Sequence, residues 1–128
     1  MISANRSDRM DTMPNPPDAH VVAIDELPGS ARGRQFDGAA HGAQMSFILA
    51  LNPPGSGPAL HRHPYEETFI IEEGTVRFTV GEDQIEATAG DIVVVPAGVP
   101  HGFVNVGPAP MRSINVHPAA RMQTEWLE

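Results

Sequence analysis

Three histidines and one glutamate stand out by their spacing. His61 and His63 flank Arg62, Glu67 follows four residues later, and His101 lies 34 residues beyond Glu67. Side chains on a strand alternate with a period of two, so His61 and His63 share a face, and Glu67 has the same parity beyond the bend at Pro64. His101 opens a further β segment directly after the Pro96-Ala97-Gly98 turn. Three neutral imidazoles and a carboxylate converging on an interior make a nitrogen/oxygen site for one divalent transition metal, with Fe, Mn, Ni, Cu and Zn all open. A lone His-x-His more often marks surface or core-satisfied side chains, so the wider pattern has to carry the reading. Glu66 is the rival carboxylate, and parity favours Glu67.

Composition removes most other chemistry. The 128 residues include no cysteine and no lysine; all eight basic residues are arginine. Thiolate nucleophiles, disulfides and iron–sulfur clusters are therefore out, as are Schiff-base chemistry and a P-loop lysine. Sixteen acidic residues give a formal charge of −8, which argues against a nucleic-acid partner. No apolar run approaches the roughly 20 residues of a membrane helix, and no apolar segment after Arg6 and Arg9 reads as a signal peptide, so a cytoplasmic setting is expected.

Glycine and proline account for 25 of the 128 residues, against an average near 12%. Part of that excess lies in residues 1–18, which mix charge, Ser, Asn and Pro with little to bury and read as a disordered tail. The remainder punctuates short Val-, Ile-, Thr- and Phe-rich runs over 21–25, 44–51, 67–72, 76–80, 84–88, 92–96, 101–106 and 112–117. Residues 76–80 alternate apolar and polar, the pattern of a half-buried strand. Only residues 119–128 have helix-like character. Eight or more short strands in about 100 residues predict an all-β sandwich or barrel, one domain over 19–128 with an extension at its end.

The turn residues and the four chemical residues form two linked patterns. The first, G-x5-H-x-H-x3-E-x6-G, is met by Gly55, His61, His63, Glu67 and Gly74. After a 15-residue spacer, G-x5-P-x-G-x2-H-x3-N is met by Gly90, Pro96, Gly98, His101 and Asn105. In these ten positions the sequence resembles the cupin superfamily, of the small single-domain cupin 2 type. The resemblance implies a double-stranded β-helix, or jelly-roll barrel, with a metal held by His61, His63, Glu67 and His101. It gives the glycines and Pro96 to turns and makes Asn105 a structural hydrogen-bonding residue. Asp91 reads as structural. His20, His41 and His117 have no motif context and read as surface or second-layer residues; Tyr65, in the bend between the histidines and the glutamate, reads as ordinary surface, with a place at the mouth of the site as the alternative.

Four protein ligands on an octahedral ion leave two positions for a chelating substrate, or for substrate and dioxygen. By parity, Phe69 and Ile71 share the face of Glu67, Phe103 that of His101, and Phe78 lies with Val76 and Val80; these four aromatic and aliphatic side chains are the candidate pocket wall. Arg62 and Arg77 have the parity to point away. The expected activity is a dioxygenase-like oxidoreductase acting on a small organic molecule, with Glu67 a possible base. The alternatives are a non-redox isomerase, epimerase or lyase on the same site, and a non-enzymatic binding or sensing module. Small cupins are commonly homodimers, and the segments 21–25 and 122–127, the latter with the lone Trp126, are candidates to cover a sheet edge or a partner.

Overall fold

The alternating runs pair into two antiparallel sheets in the computed structural model, which describes residues 19–128. The tail expected over 1–18 lies outside the described residues. In chain order the strands are β1 (Gly29–Ser30), β2 (Gly33–Phe36), β3 (Ser46–Asn52), β4 (His61–Arg62), β5 (Glu67–Glu73) and β6 (Thr75–Val80). They continue as β7 (Asp83–Thr88), β8 (Ile92–Val95), β9 (His101–Asn105), β10 (Met111–His117) and β11 (Glu125–Trp126). One sheet has the order β1-β2-β3-β10-β5-β8 and the other β11-β4-β9-β6-β7. This is the all-β fold expected from the strand pattern, and the jelly-roll that the resemblance implied.

The inward faces meet in a core of Phe69, Ile71, Val93, Val95 and Met111 from the first sheet and Val76, Phe78, Ala87 and Phe103 from the second. Phe78 is fully buried and packs edge-on against Phe69 at 4.9 Å between ring centroids. The buried histidines and Glu67 gather at one end of this interior. Strand β5 runs from buried Glu67 to buried Ile71, and antiparallel β10 runs from buried Met111 to buried His117. The metal-type side chains therefore stand above an apolar floor.

Turns fix the strand ends. Gly74 joins β5 to β6 with φ of 93°, in the left-handed region, and a Cβ there would lie 3.0 Å from the Met111 Cα. Gly98, with φ of 76°, donates its N–H to the His63 carbonyl at 2.8 Å, so the turn of the second pattern holds a candidate ligand residue of the first.

Two segments differ from expectation. Residues 21–25 are not a strand: a 3-10 turn spans Ile24–Glu26, and it turns Ala23 and Leu27 inward together, a spacing of four rather than two. Residues 119–128 form no helix. Their backbone is taken by long-range bonds instead, with β11 pairing to β4 and the Leu127 N–H donating to the Leu60 carbonyl at 2.9 Å. This segment covers the β4 edge of its own barrel. The glycine-bearing strands β1 and β2 carry too little alternation to be read from sequence.

Candidate metal centre

Short strand β4 and the start of β9 pair directly, His61 opposite His101, while the Pro64 bend returns the chain so that β5 opens on Glu67. His61, His63, Glu67 and His101 are all buried, and one donor atom from each lies within 4.8 Å of the others. Glu66 is exposed, as parity requires.

Hydrogen bonds set the tautomer of each ring. His61 Nδ1 lies 2.7 Å from the Ala59 carbonyl, His101 Nδ1 2.9 Å from that of Val99, and His63 Nδ1 2.8 Å from that of Gln123. A carbonyl only accepts, so in each neutral ring the proton sits on Nδ1 and Nε2 turns a bare lone pair inward. Yet Nε2 of His63 and of His101 each lie 3.0 Å from the ionised Oε1 of Glu67. The buried His63 Nε2 has no hydrogen-bond partner, and His101 Nε2, although placed for a hydrogen bond to Oε1, would need a second ring proton to donate it. A cation between them resolves the conflict. The three-nitrogen, one-oxygen donor set suits a divalent transition ion, and the second nitrogen of each ring is anchored as in protein metal sites.

Charge follows the same logic. Burial pushes the His61 imidazole below its usual value, reinforced by His101 and His63. For His63 burial also acts downward, but the Glu67 carboxylate and the Gln123 carbonyl outweigh it and the net shift is upward. Burial disfavours ionisation of Glu67, yet His101, His117 and His63 together hold its carboxyl well below the usual range. The site is thus a fixed carboxylate among rings that compete for a proton or a metal.

The centre opens into a cavity of about 350 Å³ lined by Gln35, Ile48, Pro58, Phe69, Phe103 and Trp126 among others. Phe69 and Phe103 stand where the pocket wall was expected. Ile71 and Phe78 do not: both are fully buried in the floor beneath, because the interior narrows there to a packed core. Arg62 and Arg77 point outward, paired with Glu125 at 2.9 Å and Glu86 at 3.2 Å. Trp126 leans on His61 with ring centroids 4.8 Å apart.

The remaining assignments divide. Asn105 is structural: its side-chain amide donates to the carbonyls of Asn52 and Ala109 at 2.9 and 2.8 Å, and its oxygen accepts from the Gly107 N–H at 2.9 Å. Asp91 accepts from the Thr88 N–H at 2.8 Å. His41 stacks on Phe36, and His20 is exposed. Tyr65 is not ordinary surface: its hydroxyl lies 2.7 Å from His117 Nδ1 and accepts from the Gln123 N–H at 3.0 Å. Burial pushes the Tyr65 phenol up. His117 is 1% exposed and belongs to the layer behind Glu67, its Nε2 being 3.0 Å from Oε2. Its parity with buried Met111 in the same strand was the available signal, but nothing local showed which residue it would meet.

Fold and site together define a jelly-roll barrel with a buried His-His-Glu-His group of metal-ligating type. Residues 48–117 match the Cupin domain family, and the chain belongs to it. An uncharacterized protein of Methanocaldococcus jannaschii is 32% identical over 90 residues, 68% of this chain and 72% of that protein. In solved structures, an uncharacterized double-stranded β-helix protein of Klebsiella pneumoniae superposes with a TM-score of 0.65 at 21% identity, covering 87% of this chain and 99% of that one. The oxalate decarboxylase of Lactobacillus farciminis, solved as a formate complex, superposes with a TM-score of 0.75 at 20% identity over 98% of this chain. This chain spans 41% of that decarboxylase.

Proposed function

We propose that the protein is a metal-dependent enzyme of the dioxygenase-like oxidoreductase class, acting on a small organic molecule that chelates through oxygen. The observation that carries this is the three Nε2 lone pairs and one carboxylate oxygen turned together at the base of an open cavity. A divalent transition ion bound there supplies Lewis acidity and, if redox-active, electrons for dioxygen chemistry. Phe69, Phe103, Ile48, Pro58 and Trp126 present an apolar wall, while Gln35 and Thr124 offer uncharged polar contacts. No arginine lines this cavity. With one carboxylate and neutral imidazoles, a divalent ion leaves a single net positive charge, which suits a phenol or 1,3-diketone ionised once. A dicarboxylate such as the oxalate of the structurally similar decarboxylase would lack a second cationic partner.

The test is anaerobic loading with Fe, Mn, Co, Ni, Cu and Zn in turn, followed by oxygen uptake with phenols, flavonols and diketones. Uptake with a redox-active ion is expected, and no uptake with any combination removes the dioxygenase reading. A non-redox isomerase, epimerase or lyase is the second reading, favoured by the hydroxyl of half-buried Tyr65, 2.7 Å from Nδ1 of the cavity-lining His117. Turnover without oxygen would select it. A homodimer and a cytoplasmic setting go with either reading. The outward face of the six-stranded sheet shows Ile92, Val94 and Ile70 at 65, 58 and 36% exposure, the kind of apolar surface a second copy covers. Light scattering giving a monomer mass would discard the dimer. No helix among the described residues is long and apolar enough to cross a membrane.

A further inference from the structure

One pair beside the centre, half-buried Tyr65 and buried His117, has no part in the ligand set. Tyr65 Oη accepts the Gln123 N–H at 3.0 Å and lies 2.7 Å from His117 Nδ1. With that N–H on one oxygen lone pair, the phenol proton is directed at Nδ1, and the proton of the neutral His117 ring falls on Nε2. Nε2 in turn faces Glu67 Oε2 at 3.0 Å, a close polar contact off the line of an ideal hydrogen bond. The ring is therefore wired in the opposite sense to His61, His63 and His101, whose Nδ1 atoms all meet carbonyls. The two oxygens of Glu67 are sorted by this arrangement: Oε2 toward His117, and Oε1 toward His63 and His101 at 3.0 Å each.

We propose that Tyr65 and His117 are positioning residues that occupy Oε2 of Glu67, so that the carboxylate meets the ion through Oε1 alone. The proposal rests on the metal reading above. Its consequence is specific to the chemistry: a carboxylate gripping with both oxygens would take a further position around the ion, one of those a chelating substrate needs. Three separate parts of the chain hold the pair. Tyr65 sits in the bend before β5, His117 closes β10 beside it through the Val116–Thr68 register, and Gln123 comes from the segment after β10. Gln123 also binds His63 Nδ1 through its carbonyl, so the same residue seats a ligand and the pair behind the carboxylate. Tyr65 stacks on His63 with the rings 3° from parallel. At 1% exposure His117 has no competing water, so the contact to Oε2 is not diluted by solvent.

The test is Co(II) titration of the full chain, followed by visible absorption, in wild type, Tyr65→Phe, His117→Phe and His117→Gln, with thermal melting of each metal-free form alongside. Losing the partner of Oε2 is expected to weaken Co(II) binding by about 10-fold or more in Tyr65→Phe and His117→Phe. It is also expected to lower and shift the cobalt d–d bands, because a carboxylate bound through both oxygens raises the coordination number. Gln presents an acceptor and a donor at a separation close to that of the ring nitrogens, so His117→Gln is expected to restore the wild-type spectrum. Wild-type spectra and affinity in Tyr65→Phe and His117→Phe overturn the proposal, as does weaker binding with an unchanged spectrum, which marks a purely structural role. Should His117→Phe not fold, Tyr65→Phe and His117→Gln carry the comparison. A wild type that takes up no Co(II) removes the metal reading itself, a result distinct from wild-type binding with indifferent variants.

Discussion

Trp126 is the chain's one tryptophan, and its ring lies 4.8 Å from that of His61. An ion about 2 Å from His61 Nε2 would sit within about 8 Å of the indole, given that centroid separation. Adding Co(II), Ni(II) or Cu(II) to metal-free protein is therefore expected to quench most of the emission, whereas closed-shell Zn(II) binds with little quenching. The same titration has a thermodynamic scale. Free metal at 100 times its dissociation constant stabilises the folded state by about 2.7 kcal/mol. At about 4 °C per kcal/mol for a barrel of this size, the melting temperature rises by about 10 °C. Glu67→Gln is expected to lose most of that rise, since the neutral amide leaves the ion without its compensating charge. Fluorescence and calorimetry on one sample check both numbers. Emission and melting temperature that stay fixed through a Co(II) titration refute the site; a melting shift without quenching places the ion away from His61.

Because Glu67 raises the proton affinity of His63 while staying ionised itself, the ion competes with a proton on His63 and not with one on Glu67. Metal affinity is expected to fall as pH drops through the raised His63 value, above the ordinary 6.5, with release of a proton on binding. Competition titrations that are flat between pH 6 and 8 contradict this. Asn105→Ala strips donors from the Asn52 and Ala109 carbonyls and is expected to cost about 1–3 kcal/mol in urea unfolding; a loss below 0.5 kcal/mol contradicts the structural role. Phe78→Ala opens the fully buried floor and should cost about 3–5 kcal/mol, against a small change for exposed Ile92→Ala. Equal losses at the two positions would contradict the division between floor and outer face.

The strands that sequence revealed are those with one face in the core. Residues 76–80 alternate because Val76 and Phe78 are buried while Arg77 meets solvent, and the observed strand is Thr75–Val80. The same alternation brought His61, His63 and Glu67 to one side, and the Gly98 turn delivered His101 to them. Strand β2 was illegible because its residues are partly exposed and one is glycine. The 21–25 run misled because its β-branched residues are not core residues: Val21 and Ile24 are exposed, and the segment buries Ala23 and Leu27 across a 3-10 turn instead. Residues 119–128 read as weakly helical because local propensity was all they offered, and long-range pairing to β4 overrode it.

The sequence by itself determined the parity of the candidate ligands, the turns that present them and the absence of cysteine and lysine. Each is a property of neighbours along the chain. Even two of the three ring tautomers are local, since His61 and His101 bond the carbonyl two residues before them. Only the tertiary structure decided what stands behind the carboxylate. His117 is 50 residues from Glu67 in sequence and reaches it because β10 lies beside β5 in one particular register. Gln123 seats His63 and Tyr65 through its main chain, which carries no mark of its residue type. Backbone contacts and strand register are set by how the whole barrel packs, and for that reason they left no signal in any local stretch of the chain.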